Sequence, residues 1–89
     1  MANIKSAIKR ARIAKKKELR NKMWKSMVRT FIRRFEESLA SGDTEKARER
    51  YRLAARILDK AASKGIIHKN ASSRKKSRLA SKLNKALSA

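Results

Sequence analysis

The sequence has no cysteine and no proline, and its 89 residues include only two glycines. Without cysteine there is neither a disulfide framework nor a thiolate zinc site, which excludes zinc fingers and dithiol redox enzymes. The scarcity of glycine and proline argues against a turn-rich β-sandwich or barrel. An all-α protein is the fold class that remains.

Long apolar runs are also missing, since none exceeds the three residues Leu53-Ala54-Ala55. A signal peptide or a membrane span needs a much longer run, so we expect an intracellular, cytoplasmic protein with no membrane partner. The single histidine, His68, is followed by no acidic residue that would orient it for catalysis. We therefore expect no enzyme, no metal, no cofactor and no small-molecule substrate.

Acidic residues are scarce, seven against 27 Lys and Arg, which leaves a net charge of +20. Solubility alone needs only about two to eight charges on a small domain, so the excess predicts a polyanionic partner. The excess is concentrated in residues 1–35 and 60–89, which flank a nearly neutral segment at 36–59. We expect no homo-oligomer.

The two glycines divide the chain into three predicted helices at about 4–40, 44–64 and 68–87. Gly42 would close the first helix, with Asp43 or Thr44 capping the next, and Gly65 would close the second. His68 or Asn70 would then open the third. The short connections predict antiparallel packing of successive helices.

Each predicted helix carries an apolar stripe at helical spacing, and three facing stripes make a three-helix bundle. Trp24 and Tyr51 lie on these stripes, which favours core packing over base stacking. The outer face of the second helix alternates acidic and basic residues at i,i+3. The stripes are Trp24, Met27, Val28, Phe31, Phe35 and Leu39; Ala47, Tyr51, Ala54, Leu58, Ala61 and Ala62; and Leu79, Leu83, Ala86 and Leu87.

The first helix is longer than its apolar stripe. Basic residues occupy the core-facing arc upstream of Trp24, so this part cannot be buried. We therefore predict one domain over residues 1–89, in which residues 1–22 form a projecting basic helical arm and residues 23–87 form the bundle. A segment 1–22 that becomes helical only on its partner stays open as the alternative. A weakly apolar patch on the arm lies roughly opposite its basic face and comprises Ile4, Ala7, Ile8, Ala11 and Ala14.

The basic faces are the candidate binding surfaces. In the third helix five cations share one arc with no acid opposing them: Arg74, Lys75, Arg78, Lys82 and Lys85. Because the first helix is basic around much of its circumference, folded RNA suits it better than a DNA groove. A DNA-compacting protein, a protein–protein module and a basic membrane-surface helix with a poor insertion face stay open as alternatives.

Several stretches resemble the bacterial small-subunit ribosomal protein family S-twenty over nearly the whole chain. They are Asn-Ile-Lys-Ser-Ala-Ile-Lys-Arg at 3–10, Arg-Asn-Lys at 20–22, Lys-Ser at 25–26, Arg-Thr at 29–30, Lys-Gly-Ile-Ile-His-Lys-Asn at 64–70 and Arg-Lys-Lys-Ser-Arg-Leu at 74–79. The resemblance implies a three-helix structural protein of the 30S subunit in the cytoplasmic ribosome. It also implies direct, early binding to 16S rRNA, bridging the 5′ domain and the long penultimate-stem helix near the 3′ end, beside other small-subunit components.

The resemblance and the basic faces together define the expected RNA contacts. Positions matching the family motifs are Asn3, Lys5, Ser6, Lys9, Arg10, Asn21, Lys22, Ser26, Thr30, Lys64, His68, Lys69, Asn70, Arg74, Lys75, Lys76, Ser77 and Arg78. Arg12, Lys16, Lys17, Arg20, Arg29 and Lys82 join them because they lie on the same basic surfaces. For His68, the residues leave two roles open, a helix cap or a hydrogen-bond donor to RNA.

Overall fold

Three α-helices make up the computed structural model, which describes residues 2–88. Helix α1 spans Ala2–Ala40, α2 spans Thr44–Ser63 and α3 spans Lys69–Ser88. No strand occurs within this range. The all-α prediction with a long first helix is confirmed, and each helix boundary lies within two residues of its predicted position. Of the predicted domain 1–89, Met1 and Ala89 lie outside the described residues.

The turn between α1 and α2 depends on Gly42, whose φ of 78° is left-handed. The Asp43 N–H donates to the Ser38 carbonyl at 3.2 Å and the Gly42 N–H to the Leu39 carbonyl at 3.2 Å. These two bonds form the Schellman motif that commonly ends helices at glycine. The Asp43 carboxylate then accepts from the Lys46 N–H at 3.1 Å and caps α2. Asp43, rather than Thr44, is therefore the cap.

The turn between α2 and α3 repeats this arrangement around Gly65, with φ 74°. The Gly65 N–H donates to the Ala62 carbonyl and the Ile66 N–H to the Ala61 carbonyl, at 3.0 and 2.9 Å. Ile66 and Ile67 then pack against the core. The connector is therefore anchored by its own apolar side chains, and it fixes where α3 begins.

The core lies where α1 and α3 both pack against α2. Three of the four buried α2 residues are alanines, which allows the helix backbones to approach closely. Because the connections are short, successive helices run antiparallel, and α3 runs in the same direction as α1. The buried apolar residues are Val28, Phe35, Ala47, Ala54, Leu58, Ala61, Leu79 and Leu83.

Most residues of the predicted stripes are buried or pack against the core, but Met27 is only half-buried outside the core cluster and Leu87, at the end of α3, is 39% exposed. Leu87 lies two residues from the end of α3, to one side of the arc that holds Leu79 and Leu83. Four isoleucines outside the predicted stripes also pack against the core, namely Ile32, Ile57, Ile66 and Ile67. The core therefore includes apolar residues that were not predicted from helical spacing.

The projecting arm is the first half of α1. Every side chain from Asn3 to Met23 is exposed, so this part of the helix packs against nothing else within residues 2–88. The arm makes the molecule elongated, with extents of 68 × 22 × 13 Å. Among residues 2–88 there is no helix with the length and apolar content needed to span a bilayer.

Two serines are almost completely buried, each 2% exposed, and they differ in their hydrogen bonds. The Ser38 hydroxyl donates to the Arg34 carbonyl at 3.0 Å and accepts from Arg50 Nη1 at 2.8 Å. The Ser72 hydroxyl has no hydrogen-bond partner in the structure. One buried hydroxyl is therefore satisfied by a cation of α2, and the other is orphaned.

Replacing each serine by alanine should change stability in opposite directions. Ser72→Ala removes an unsatisfied polar group and should raise the free energy of unfolding by about 1 kcal/mol, whereas Ser38→Ala should lower it by about 1–2 kcal/mol. Urea unfolding followed by circular dichroism measures both. Equal destabilisation by the two changes would contradict the assignment of their hydrogen bonds.

Candidate nucleic-acid interface

The arm presents eleven of the predicted contact residues to solvent. Over residues 2–22 the helix is about 32 Å long at 1.5 Å per residue, so these side chains are spread along a rod rather than gathered in a patch. All of them are exposed. They are Asn3, Lys5, Ser6, Lys9, Arg10, Arg12, Lys16, Lys17, Arg20, Asn21 and Lys22.

The positive charge of the arm is almost uncompensated. Its only acidic residue is Glu18, whose Oε1 lies 4.0 Å from Lys22 Nζ, with both side chains about two-thirds or more exposed. An exposed pair at this distance contributes little to stability and leaves both groups accessible to other ions. The arm therefore keeps its capacity to bind anions.

Lys64 and Trp24 meet where the arm leaves the bundle. The Lys64 ammonium lies 5.4 Å from the centroid of the Trp24 ring, a cation–π contact between the C-cap of α2 and α1. Trp24 packs against the core, and the Tyr51 ring lies 6.1 Å from that of Phe35. Core packing of Trp24 and Tyr51 is confirmed, and Lys64 has a structural contact besides its predicted one with RNA.

Three further predicted residues lie on the part of α1 that belongs to the bundle. Ser26 and Arg29 are exposed, and Thr30 is half-buried. Thr30 Oγ1 donates to the Ser26 carbonyl at 3.0 Å, which leaves its lone pairs but not its hydrogen for a partner. Thr30 can therefore accept a hydrogen bond from a ribose hydroxyl, but it is not set up to donate one to a phosphate.

His68 caps α3. Its Nδ1 accepts from the Asn70 N–H at 3.1 Å, and its carbonyl accepts from the Ser72 N–H at 3.0 Å. A neutral imidazole that accepts at Nδ1 carries its hydrogen at Nε2. Because His68 is exposed, Nε2–H can donate to a phosphate while the cap is kept. The two predicted roles are therefore compatible.

The α3 residues divide into paired and unpaired cations. Lys76 Nζ lies 2.6 Å from Asp59 Oδ1 of α2, and Lys82 Nζ lies 3.1 Å from Glu36 Oε1 of α1. The expectation that no acid opposes the α3 cations is therefore wrong for Lys82, because α1 brings Glu36 beside it. Four predicted α3 cations are exposed and form no ion pair within residues 2–88, namely Lys69, Arg74, Lys75 and Arg78. The predicted polar residues Asn70 and Ser77 are exposed as well.

The acidic and basic residues that alternate on the outer face of α2 do not pair with each other. Asp59, the last acid of that face, instead pairs with Lys76 of α3. No ion pair within α2 is found among the described residues. The acidic residue thus connects two helices, which i,i+3 spacing alone does not reveal.

Lys25 is a functional candidate that the sequence reasoning missed. With Arg29 and Lys75 it lines a cavity of about 410 Å³ between α1 and α3. Its signal was the i,i+4 spacing to Arg29 on one helix face. The cavity brings the cations of α1 and α3 together, whereas those of residues 2–22 lie farther along the rod.

The molecule is small, strongly basic and all-helical, and its cations lie on two long surfaces, a combination typical of structural proteins that bind nucleic acid. The family model for "Ribosomal protein S20" matches residues 2–84. The chain belongs to this ribosomal protein family.

Curated relatives agree over almost the full length. Proteins named "Small ribosomal subunit protein bS20" from Caldanaerobacter subterraneus subsp. tengcongensis and Geobacillus kaustophilus are 61% and 60% identical to this chain. The matches cover 98% of this chain and 83% of the first relative, and 94% of both chains for the second. A bS20 protein from Streptomyces avermitilis is 59% identical over 93% of this chain and 94% of its own length.

Family membership settles the coarse role of the chain. It is a structural protein of the small ribosomal subunit and not an enzyme, as the sequence predicted. Its location is the ribosome, in the cytoplasm.

Substitutions at His68 should separate its cap from its exposed donor. His68→Ala removes the Nδ1 acceptor and should lower the free energy of unfolding by about 1 kcal/mol, whereas His68→Asn keeps a capping oxygen and should be near neutral. Thermal unfolding followed by circular dichroism measures both. An equal loss of stability in the two variants would show that the ring, not the cap, stabilises α3.

Proposed function

We propose that this chain binds 16S rRNA directly and holds separate parts of it in place during early assembly of the small subunit. The observation that carries the proposal is the placement of the cations. The exposed arm and the outer face of α3 are both basic, and they are offset along a molecule 68 Å long. A partner that neutralises both surfaces must present phosphates over a comparable distance, as a large folded RNA does.

The mechanism is electrostatic and architectural. Phosphates of neighbouring RNA elements repel each other, and a basic helix between them lowers this repulsion as counterions are released. The arm is basic around much of its circumference, so it can contact more than one RNA element. The bundle sets the relation between the arm and α3, because both α1 and α3 pack on α2.

Within this proposal the chain acts as one domain with two parts. Residues 1–22 contact RNA as the arm, and residues 23–87 present α3 and the adjacent part of α1. The partners on the rRNA are the 5′ domain and the long penultimate-stem helix near the 3′ end. Shape and 2′-hydroxyl contacts, rather than base reading, would supply specificity, with small polar side chains such as Asn3, Asn21 and Ser77 setting the register.

A competition assay tests this function. The 5′ domain of 16S rRNA should bind more than roughly a hundredfold tighter than duplex DNA or an unrelated folded RNA at near-physiological salt. Filter binding with each RNA or DNA as competitor measures the preference. Equal affinity for all three would favour a DNA-compacting, histone-like activity, and binding that survives high salt would favour a protein-contact module.

Removing two α3 cations should change the salt dependence of binding. Arg74→Ala with Arg78→Ala should weaken rRNA binding and flatten the slope of log affinity against log salt by about one to two units, because each phosphate contact contributes nearly one unit. The slope is measured by titrating the 5′ domain at several salt concentrations.

The matched control removes the same charge from the outer face of α2. Arg48→Ala with Arg52→Ala changes two exposed arginines that are outside the predicted interface. This pair should leave the slope nearly unchanged. If both double variants flatten it equally, net charge rather than the α3 surface determines binding.

A further inference from the structure

Two depressions lie along the seam between α1 and α3. The larger has a volume of about 410 Å³, and the smaller, of about 180 Å³, lies next to it because Lys75 lines both. The larger is lined by Lys25, Val28, Arg29, Ile67 and Lys75. Since α1 and α3 pack mainly on α2 rather than on each other, this seam is the open side of the bundle.

The larger cavity combines an apolar floor with a cationic rim. Val28 is 3% exposed, and Ile67 is half-buried against the core. Lys25, Arg29 and Lys75 are exposed, and none of them takes part in an ion pair within residues 2–88. Its volume falls in the range of about 300–1,000 Å³ that is usual for small-ligand pockets. Its occupant should therefore pair a flat or apolar group with negative charge.

Glu36 marks the limit of the anion-binding part of the seam. It lines the smaller depression, where its Oε1 lies 3.1 Å from Lys82 Nζ. A phosphate at that end would compete with a carboxylate that is already paired. Three unpaired cations line the larger cavity, whereas the smaller depression adds only Arg78 to the Lys75 that both share. We therefore place the charged part of the occupant at the larger cavity.

Paired RNA does not match this chemistry, because the bases of an A-form helix are stacked and its surface offers phosphate and ribose. An unpaired nucleotide does match it. Its base can leave the stack and rest on Val28 and Ile67, while its flanking phosphates contact Lys25, Arg29 and Lys75. Bases turned out of loops and bulges are the common targets of RNA-binding proteins.

We propose that the cavity between α1 and α3 binds a single unpaired nucleotide of the RNA. The inference rests on the proposed function, since it takes RNA as the partner and assigns one of its nucleotides to a cavity. It adds a base-binding element to an interface otherwise described by phosphate and shape contacts.

Three short RNA hairpins with the same stem test the proposal with the full chain. One stem is fully paired, the second carries one unpaired uridine, and the third carries an abasic residue at that position. The third hairpin keeps the added phosphate and the bend but lacks the base. The uridine hairpin should bind about tenfold tighter than the abasic one.

Substitutions then assign the preference to the cavity. Ile67→Ser should reduce the ratio between the uridine and abasic hairpins to near one, and unchanged affinity for the paired hairpin shows that the variant is folded. Lys75→Ala should weaken both bulged hairpins relative to the paired one. Lys85→Ala removes the same charge from an exposed α3 position that does not line the cavity, and it should weaken all three equally.

Two kinds of result would overturn the proposal. Equal affinity of the unaltered chain for the uridine and abasic hairpins would show that the cavity does not bind the base. A side chain of a partner protein would then be the better candidate for the cavity. A uridine preference that persists in Ile67→Ser, or bulged-hairpin affinities that Lys75→Ala leaves unchanged relative to the paired hairpin, would put the nucleotide elsewhere. Either result can be told apart from a failure of the proposed function. That failure would appear as the absence of a preference for the 16S 5′ domain in the competition assay.

Discussion

Repulsion among 27 basic side chains, opposed by only seven acidic ones, is the constraint on which the arrangement of this molecule depends. The fold separates charges wherever it does not need to bring helices together. At two contacts between helices an acid lies beside a basic residue, Asp59 beside Lys76 and Glu36 beside Lys82. Two basic helices therefore share one bundle because α2 lies between them and supplies an apolar, alanine-rich surface to both.

The same constraint accounts for the two parts of α1. Its second half packs through Val28 and Phe35, both almost fully buried. Its first half has no apolar face suited to the bundle and stays exposed. The basic residues of the arm would destabilise the fold by mutual repulsion if they were packed against the bundle. They lie instead on the exposed first half of α1. The uncompensated surfaces that result are the ones assigned to RNA, so the fold and the interface follow from one distribution of charge.

The helices and most of the core could be predicted from the sequence, because Gly42 and Gly65 mark the turns and apolar residues recur at helical spacing. What could not be predicted depends on contacts between helices. Periodicity does not show how far a neighbour extends, so Leu87 was assigned to the core. It also passes over Ile67, which lies in a turn, and the small buried Ser72. The pairing of Glu36 with Lys82 joins residues 46 positions apart, and the α1–α3 cavity likewise needs three dimensions.

Because α1 is continuous, a rotation of the bundle moves the tip of the arm. The helix runs without interruption from Ala2 to Ala40, so the direction of the arm follows that of the segment held in the bundle. A tilt of the bundle by about 10° would swing the tip of an arm about 32 Å long through roughly 5 Å. A small change in the orientation of the bound bundle therefore produces a larger displacement at the tip of the arm. Once either the arm or the bundle is bound, the other part has a smaller volume in which to find its own binding site.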